Sequence, residues 1–157
     1  MKIKLLTIGK TDSRSLQQLI DEYCKRLGFY IPFSMDIIPD IKNTKNLTTK
    51  QQKIAEGKEL LKKIEKSDAV ILLDENGKLY NSIQFSAFLQ KKMNSGLKKI
   101  VFVIGGPYGF SDDVYNRCNE KVSLSPMTFS HQMVRLFFTE QLYRSFTILR
   151  NEPYHHH

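Results

Sequence analysis

Two short runs in this chain are apolar at every position: AVILL at 69–73 and IVFVI at 100–104. A strand with one wet face alternates apolar and polar residues. A strand that is apolar throughout must be covered on both faces, as in a parallel sheet with helices on either side. Between such runs the apolar spacing changes. Leu16, Leu19, Ile20, Tyr23 and Leu27 recur at helical intervals within 13–27, and Gly28 is placed to end that helix. Phe85, Phe88, Leu89 and Met93 mark a second helix, opened by Ser82 and closed by Gly96. Thr48 with Gln51 forms a capping box for a lysine-rich helix to about residue 66, with Ile54, Leu61 and Ile64 facing inward. Ser111-Asp112-Asp113 opens a short helix with carboxylates at its positive end. The longest helix should run from about Thr128 to Leu149. Further strands are expected at 2–8, 33–38 and 121–125, and Asn76-Gly77 reads as a turn. This alternation predicts an α/β domain on a mainly parallel sheet. The 157 residues fit one such domain, 1–157, with 40–47 as its only long polar loop.

Composition narrows the partners. The net charge is +8, and Lys50, Lys53, Lys58, Lys62, Lys63 and Lys66 crowd one segment. Displacing counterions from phosphates drives binding of such a chain to a polyanion, so nucleic acid is the expected partner. MKIKLLTIGK is too short and too charged for a signal peptide, and no run reaches the ~18 apolar residues of a membrane span. Cys24 and Cys118 form no CxxC pair, so neither a disulfide scaffold nor a zinc site is expected, which fits the cytoplasm.

At 101–110 the chain reads VFVIGGPYGF. Ligands of parallel α/β sheets bind beyond the carboxyl ends of the strands, where Gly105 and Gly106 fall, and glycine lets a ligand touch the backbone. The loop is not a Walker A motif, which needs GK[ST], nor a dinucleotide fingerprint, which needs GxGxxG. A tight turn beside a packed helix would use the same residues. The second informative stretch is LSPMTFSHQMVRLFFTEQLYRSF, 124–146. It passes through a Ser-Pro loop into a helix whose first half is apolar almost all round, so that helix is buried on more than one side, and a second copy of the chain is the simple candidate for the extra cover. His131, Arg135 and Thr139 share one face at four-residue intervals, and Glu140 and Arg144 can pair. No Ser-His-Asp set and no metal spacing includes His131.

IGGPYG after a strand, LSPMTFSHQMVR, EQLYRSF and PYHHH together resemble the ribosomal RNA large-subunit methyltransferase H family of the SPOUT class. MKIKLLTIGK, EYCKRL and LLDENGK extend the resemblance over nearly the whole chain. It implies a parallel sheet with a C-terminal trefoil knot at about 100–149, a tail at 150–157, and a homodimer through the knot helices. It implies transfer of a methyl group from S-adenosylmethionine, with no metal, to N3 of a pseudouridine in a hairpin loop of 23S rRNA on the assembled ribosome. Its donor loops fall on Leu73, on Gly105 with Gly106, and on Leu124, Ser125, Pro126, Met127, Thr128 and Phe129; the glycines would leave space for the donor. Candidates for proton handling are His131, Arg135, Tyr154 and His155. Candidates for RNA contact are Arg135, Arg144, His155 and His156. The terminal histidines could be a tag remnant, but the resemblance makes Tyr154 and His155 native and carries the tail to the partner subunit's site. A SPOUT enzyme for another rRNA or tRNA position, a ribosome-associated RNA-binding factor without activity, and a flavodoxin-like nucleotide-binding module are the alternatives.

Overall fold

A computed structural model describes residues 1–156; His157, whose origin the sequence left open, lies outside them. The elements alternate as expected: β1 (Lys2–Ile8), α1 (Arg14–Leu27), β2 (Phe33–Ile38), a 3-10 turn (Thr44–Asn46), α2 (Thr49–Lys62), β3 (Ala69–Leu79), α3 (Ser82–Asn94), β4 (Lys99–Ile104), α4 (Asp112–Arg117), β5 (Glu120–Ser123) and α5 (His131–Leu149). The five strands pair in the order β2-β1-β4-β3-β5, all parallel.

The two apolar runs lie in the middle of this sheet, and their residues divide between two cores. Ile71, Ile100, Phe102 and Ile104 face one side, packed with Leu27, Phe85, Leu89, Phe138, Leu142 and Phe146 of α1, α3 and α5. Val70, Leu72, Val101 and Val103 face the other, under Leu60 of α2, Val114 of α4 and Phe110. Burial on both faces is why neither run alternates. No helix among the described residues is long and apolar enough to cross a membrane.

The structure corrects several local expectations. Asn76-Gly77 is not a turn between elements but part of an irregularity inside β3: Leu73 and Lys78 both stand opposite Val122, so the residues between them bulge out. Asp74 Oδ1 accepts from Asn76 N at 2.8 Å and shapes the bulge, and a Cβ on Gly77 would lie 2.6 Å from Val122 backbone atoms. Asn81, not Ser82, caps α3, in a reciprocal box with Gln84. Gly28 ends α1 in right-handed geometry, φ −58°. Helix α2 has the expected Thr48–Gln51 box but stops at Lys62, and Ile54 points out, at 39% exposed. Leu61 and Ile64 do pack against the core as expected, and the fully buried residues of α2 are Glu56, Gly57 and Leu60. Helix α5 begins at His131, capped by Ser130, whose Oγ accepts from Met133 N at 3.2 Å.

Candidate active site

The carboxyl ends of β4, β3 and β5 are neighbours, and the loops leaving them enclose a cleft of about 470 Å³. One wall is the bulge after Leu73, another the glycine loop after Ile104, and the third the segment from Ser123 to Val134. Each loop is held by its own chemistry. Gly106 O accepts from Gly109 N at 3.1 Å, closing a turn with Pro107 at its second position, and Gly109 has φ +85°, a conformation that favours glycine. In the third wall Ser123 Oγ donates to Ser125 O at 2.9 Å, and Ser125 Oγ accepts from Met127 N at 2.9 Å. Tyr115 OH donates to Asp74 Oδ2 at 2.5 Å, and Thr128 Oγ1 donates to Glu75 Oε2 at 3.3 Å, so the first wall is tied to α4 and to the third. Burial, then the bond to Asp74, pushes the Tyr115 phenol above its usual range.

The expected donor residues converge here. Leu73, Gly105, Gly106, Leu124, Ser125, Met127, Thr128 and Phe129 all line the cleft, while Pro126 is exposed outside its lining. Both glycines line the cleft and also lie against the protein's own side chains. A Cβ on Gly105 would meet the Phe110 ring at 3.1 Å, and one on Gly106 would meet the Glu56 carboxylate at 2.5 Å. Their bareness is used by the protein's own packing as well as by the cleft. Sequence reasoning also missed Asp74 and Glu75. They lie in LLDENGK, and it is the bulge that turns both toward the cleft.

The proton-handling candidates do not gather in one chain. His131 lines the cleft. Arg135, one turn further, is fully buried and outside the lining; Arg135 Nη2 donates to Ile8 O at 2.7 Å and Nη1 to Thr11 Oγ1 at 3.2 Å, while Nε has no partner among the described residues. Burial lowers its pKa, with Asp12 and Asp40 opposing the shift. A guanidinium so placed anchors the β1–α1 loop and does not meet RNA phosphate in this geometry. Gln132 grips the same loop, donating to Lys10 O at 3.2 Å and accepting from Asp12 N at 3.0 Å.

A second cluster forms at the far end of α5. Glu140 Oε1 accepts from Arg144 Nη2 at 2.5 Å, from Arg144 Nε at 3.0 Å and from Tyr154 OH at 3.0 Å. Arg144 Nη1 lies 3.3 Å from His155 Nδ1, and its guanidinium stacks over the Tyr154 ring at 4.7 Å. Tyr154 also touches Tyr23 OH at 3.2 Å and packs edge-on against Tyr143, and Tyr30 donates to Glu152. His156 is exposed beyond them. Along α5 the rise of 1.5 Å per residue sets Glu140 about 14 Å and Arg144 about 20 Å from His131.

A family model described as "Predicted SPOUT methyltransferase" matches residues 1–155. The chain belongs to the SPOUT methyltransferases. Three relatives share the name "Ribosomal RNA large subunit methyltransferase H". This SPOUT methyltransferase is 68% identical to the one from Flavobacterium johnsoniae, over 99% of both chains. It is 63% identical to that of Christiangramia forsetii and 58% to that of Parabacteroides distasonis, again over 99% of both chains.

Proposed function

We propose that the protein uses S-adenosylmethionine to methylate N3 of a pseudouridine in a hairpin loop of 23S rRNA, on the assembled ribosome in the cytoplasm. The observation that carries this reading is the cleft at three adjacent strand ends, of a size for one small ligand. Its walls suit that donor. Backbone N–H and C=O groups of 105–109 and 124–129 can meet adenine and ribose edges, and Leu73, Ile104 and Val134 offer apolar surface. Asp74 and Glu75 put carboxylates beside a ligand that carries positive charge. The donor, when bound, supplies a methyl group on a cationic sulfur, open to direct displacement by a ring nitrogen. No enzyme nucleophile is then required, and holding the two reactants in line can supply about 7–11 kcal/mol of the barrier.

The chain's own groups must hold the base and see its N3 proton away. His131 stands at the cleft. Burial, followed by its bonds with Tyr23 and Glu140, raises the Tyr154 phenol above its usual range, so at neutral pH it can donate a hydrogen bond but not take the proton. Arg144, oriented by Glu140, can steady negative charge developing on the base, and His155 and His156 can reach toward RNA. These groups lie too far from His131 to act with it in one chain. We infer a homodimer, formed through α5 and the knotted region of about 100–149, in which the tail of one subunit completes the cleft of the other.

Mass spectrometry of rRNA from a strain lacking the gene tests the function. A methyl group missing from one hairpin-loop pseudouridine supports it, and an unchanged methylation pattern refutes it. Calorimetry with S-adenosylmethionine tests the cleft separately.

A further inference from the structure

The loop carrying Gly105 and Gly106 is seated on α2 at both ends. At its start, a Cβ on Gly106 would lie 2.5 and 2.7 Å from the two carboxylate oxygens of Glu56. At its end, Gly57 comes so close that its own Cβ would be 3.2 Å from Val114 Cγ2 and 3.3 Å from Ser111 Cβ. Consecutive residues of one helix therefore meet both ends of the 105–111 loop. Glu56 is 3% exposed and does not line the cleft. Gln52 Nε2 donates to its Oε1 at 3.1 Å, while Oε2 has no partner among the described residues. A buried carboxyl oxygen without a partner costs stability, and an apolar side chain would fill the space without that cost. The donor-loop contact is what the carboxyl adds.

We propose that Glu56 is a positioning residue for the methyl-donor site: its carboxyl is a strut behind Gly106 that holds the glycine loop at the cleft, while Gly57 lets the other end of the loop close onto α2. The inference rests on the reading of the cleft as the donor site. Glu56 touches neither donor nor RNA in this scheme. It acts through the backbone at 106, so changes at the two positions must be coupled.

The test is a double-mutant cycle with two readouts, calorimetric affinity for S-adenosylmethionine and hydrogen exchange of the 105–111 amides, made on Glu56→Ala, Glu56→Gln, Gly106→Ala and Glu56→Ala/Gly106→Ala. Gly106→Ala should weaken donor affinity by about tenfold or more, because its methyl and the Glu56 carboxyl compete for one space. In the double variant that space is free, so affinity should recover by at least about threefold over Gly106→Ala. Glu56→Gln, which keeps the strut's shape, should stay within about threefold of wild type, whereas Glu56→Ala should lose affinity and speed exchange in the loop. Additive effects in the cycle, or wild-type affinity and exchange in Glu56→Ala, overturn the proposal. Should Glu56→Ala fail to fold, Glu56→Gln and Gly106→Ala decide: an affinity loss in Glu56→Gln matching that of Gly106→Ala also overturns it. If wild type does not bind the donor but loop exchange still responds to Glu56→Ala, the donor-site reading fails and the strut stands.

Discussion

A carboxyl group shut away from water beside a second acid titrates abnormally, and Glu56 is such a group. Burial pushes it above the usual glutamate range; the Gln52 amide pulls it down and the charge of Asp40 pushes it up again. The folded chain then holds this proton more tightly than the unfolded chain does. The stability tied to the neutral acid is complete below the ordinary glutamate range and is lost as pH rises from that range through the raised value. Glu56→Gln cannot titrate there. Urea midpoints measured across pH should show wild type losing stability relative to Glu56→Gln over this window, and parallel curves would sink the idea. Arg135 calls for a different experiment. Removing its side chain strands the Ile8 carbonyl and opens a cavity, so Arg135→Ala should cost about 2–4 kcal/mol in urea unfolding. Arg135→Lys, which cannot reach Ile8 and Thr11 together, should recover only part of that. A variant as stable as wild type would return Arg135 to the list of direct RNA contacts.

The cleft depends on where α5 sits, and one aromatic side chain does much of the fixing. Phe138 is fully buried, with its ring 4.7 Å from Phe102 on β4 and 6.5 Å from Phe85 on α3. Phe138→Ala should destabilise the protein by about 3–5 kcal/mol in chemical denaturation; a loss below about 1 kcal/mol would mean that the helix is held elsewhere. Such elements were legible because their signals are local. All-apolar runs, helical spacing and the Thr48–Gln51 box each act within one segment, and the resemblance placed the donor loops on β3, β4 and β5. What was illegible depends on neighbours distant in sequence. The bulge in β3 exists because both of its halves pair with Val122, and no residue in LLDENGK announces that partner. Ile54 was expected inside because it is apolar, yet α2 turns Glu56 and Gly57 inward to meet the loop after β4. The first turn expected of α5 went instead to the third wall of the cleft, and Ser130 caps what remains.

At the scale of the molecule, one chain has the cleft at one end of α5 and an Arg144–Tyr154–His155 cluster toward the other. Met127, Met133 and Phe137, beside the cleft and along α5, remain 72%, 37% and 37% exposed, which is costly for a single chain in water and natural for one that pairs there. In the proposed homodimer, a two-fold pairing of α5 helices brings each tail to the opposite cleft. Complementation between damaged subunits tests this. One variant lacks residues 153–157 and keeps its cleft; the other keeps its tail and carries Ser125→Trp, which fills the cleft. Each homodimer should be inactive on ribosomes from the deletion strain. In the mixed dimer, isolated with two different affinity tags, the intact cleft lies opposite the intact tail, so one working site should form and methylation should return to about half the wild-type rate per dimer. If the tail serves its own cleft, the mixed dimer contains no complete site and stays silent. Recovered methylation therefore requires the composite site, and silence from a mixed dimer that still binds S-adenosylmethionine in its intact cleft confines the chemistry to one chain.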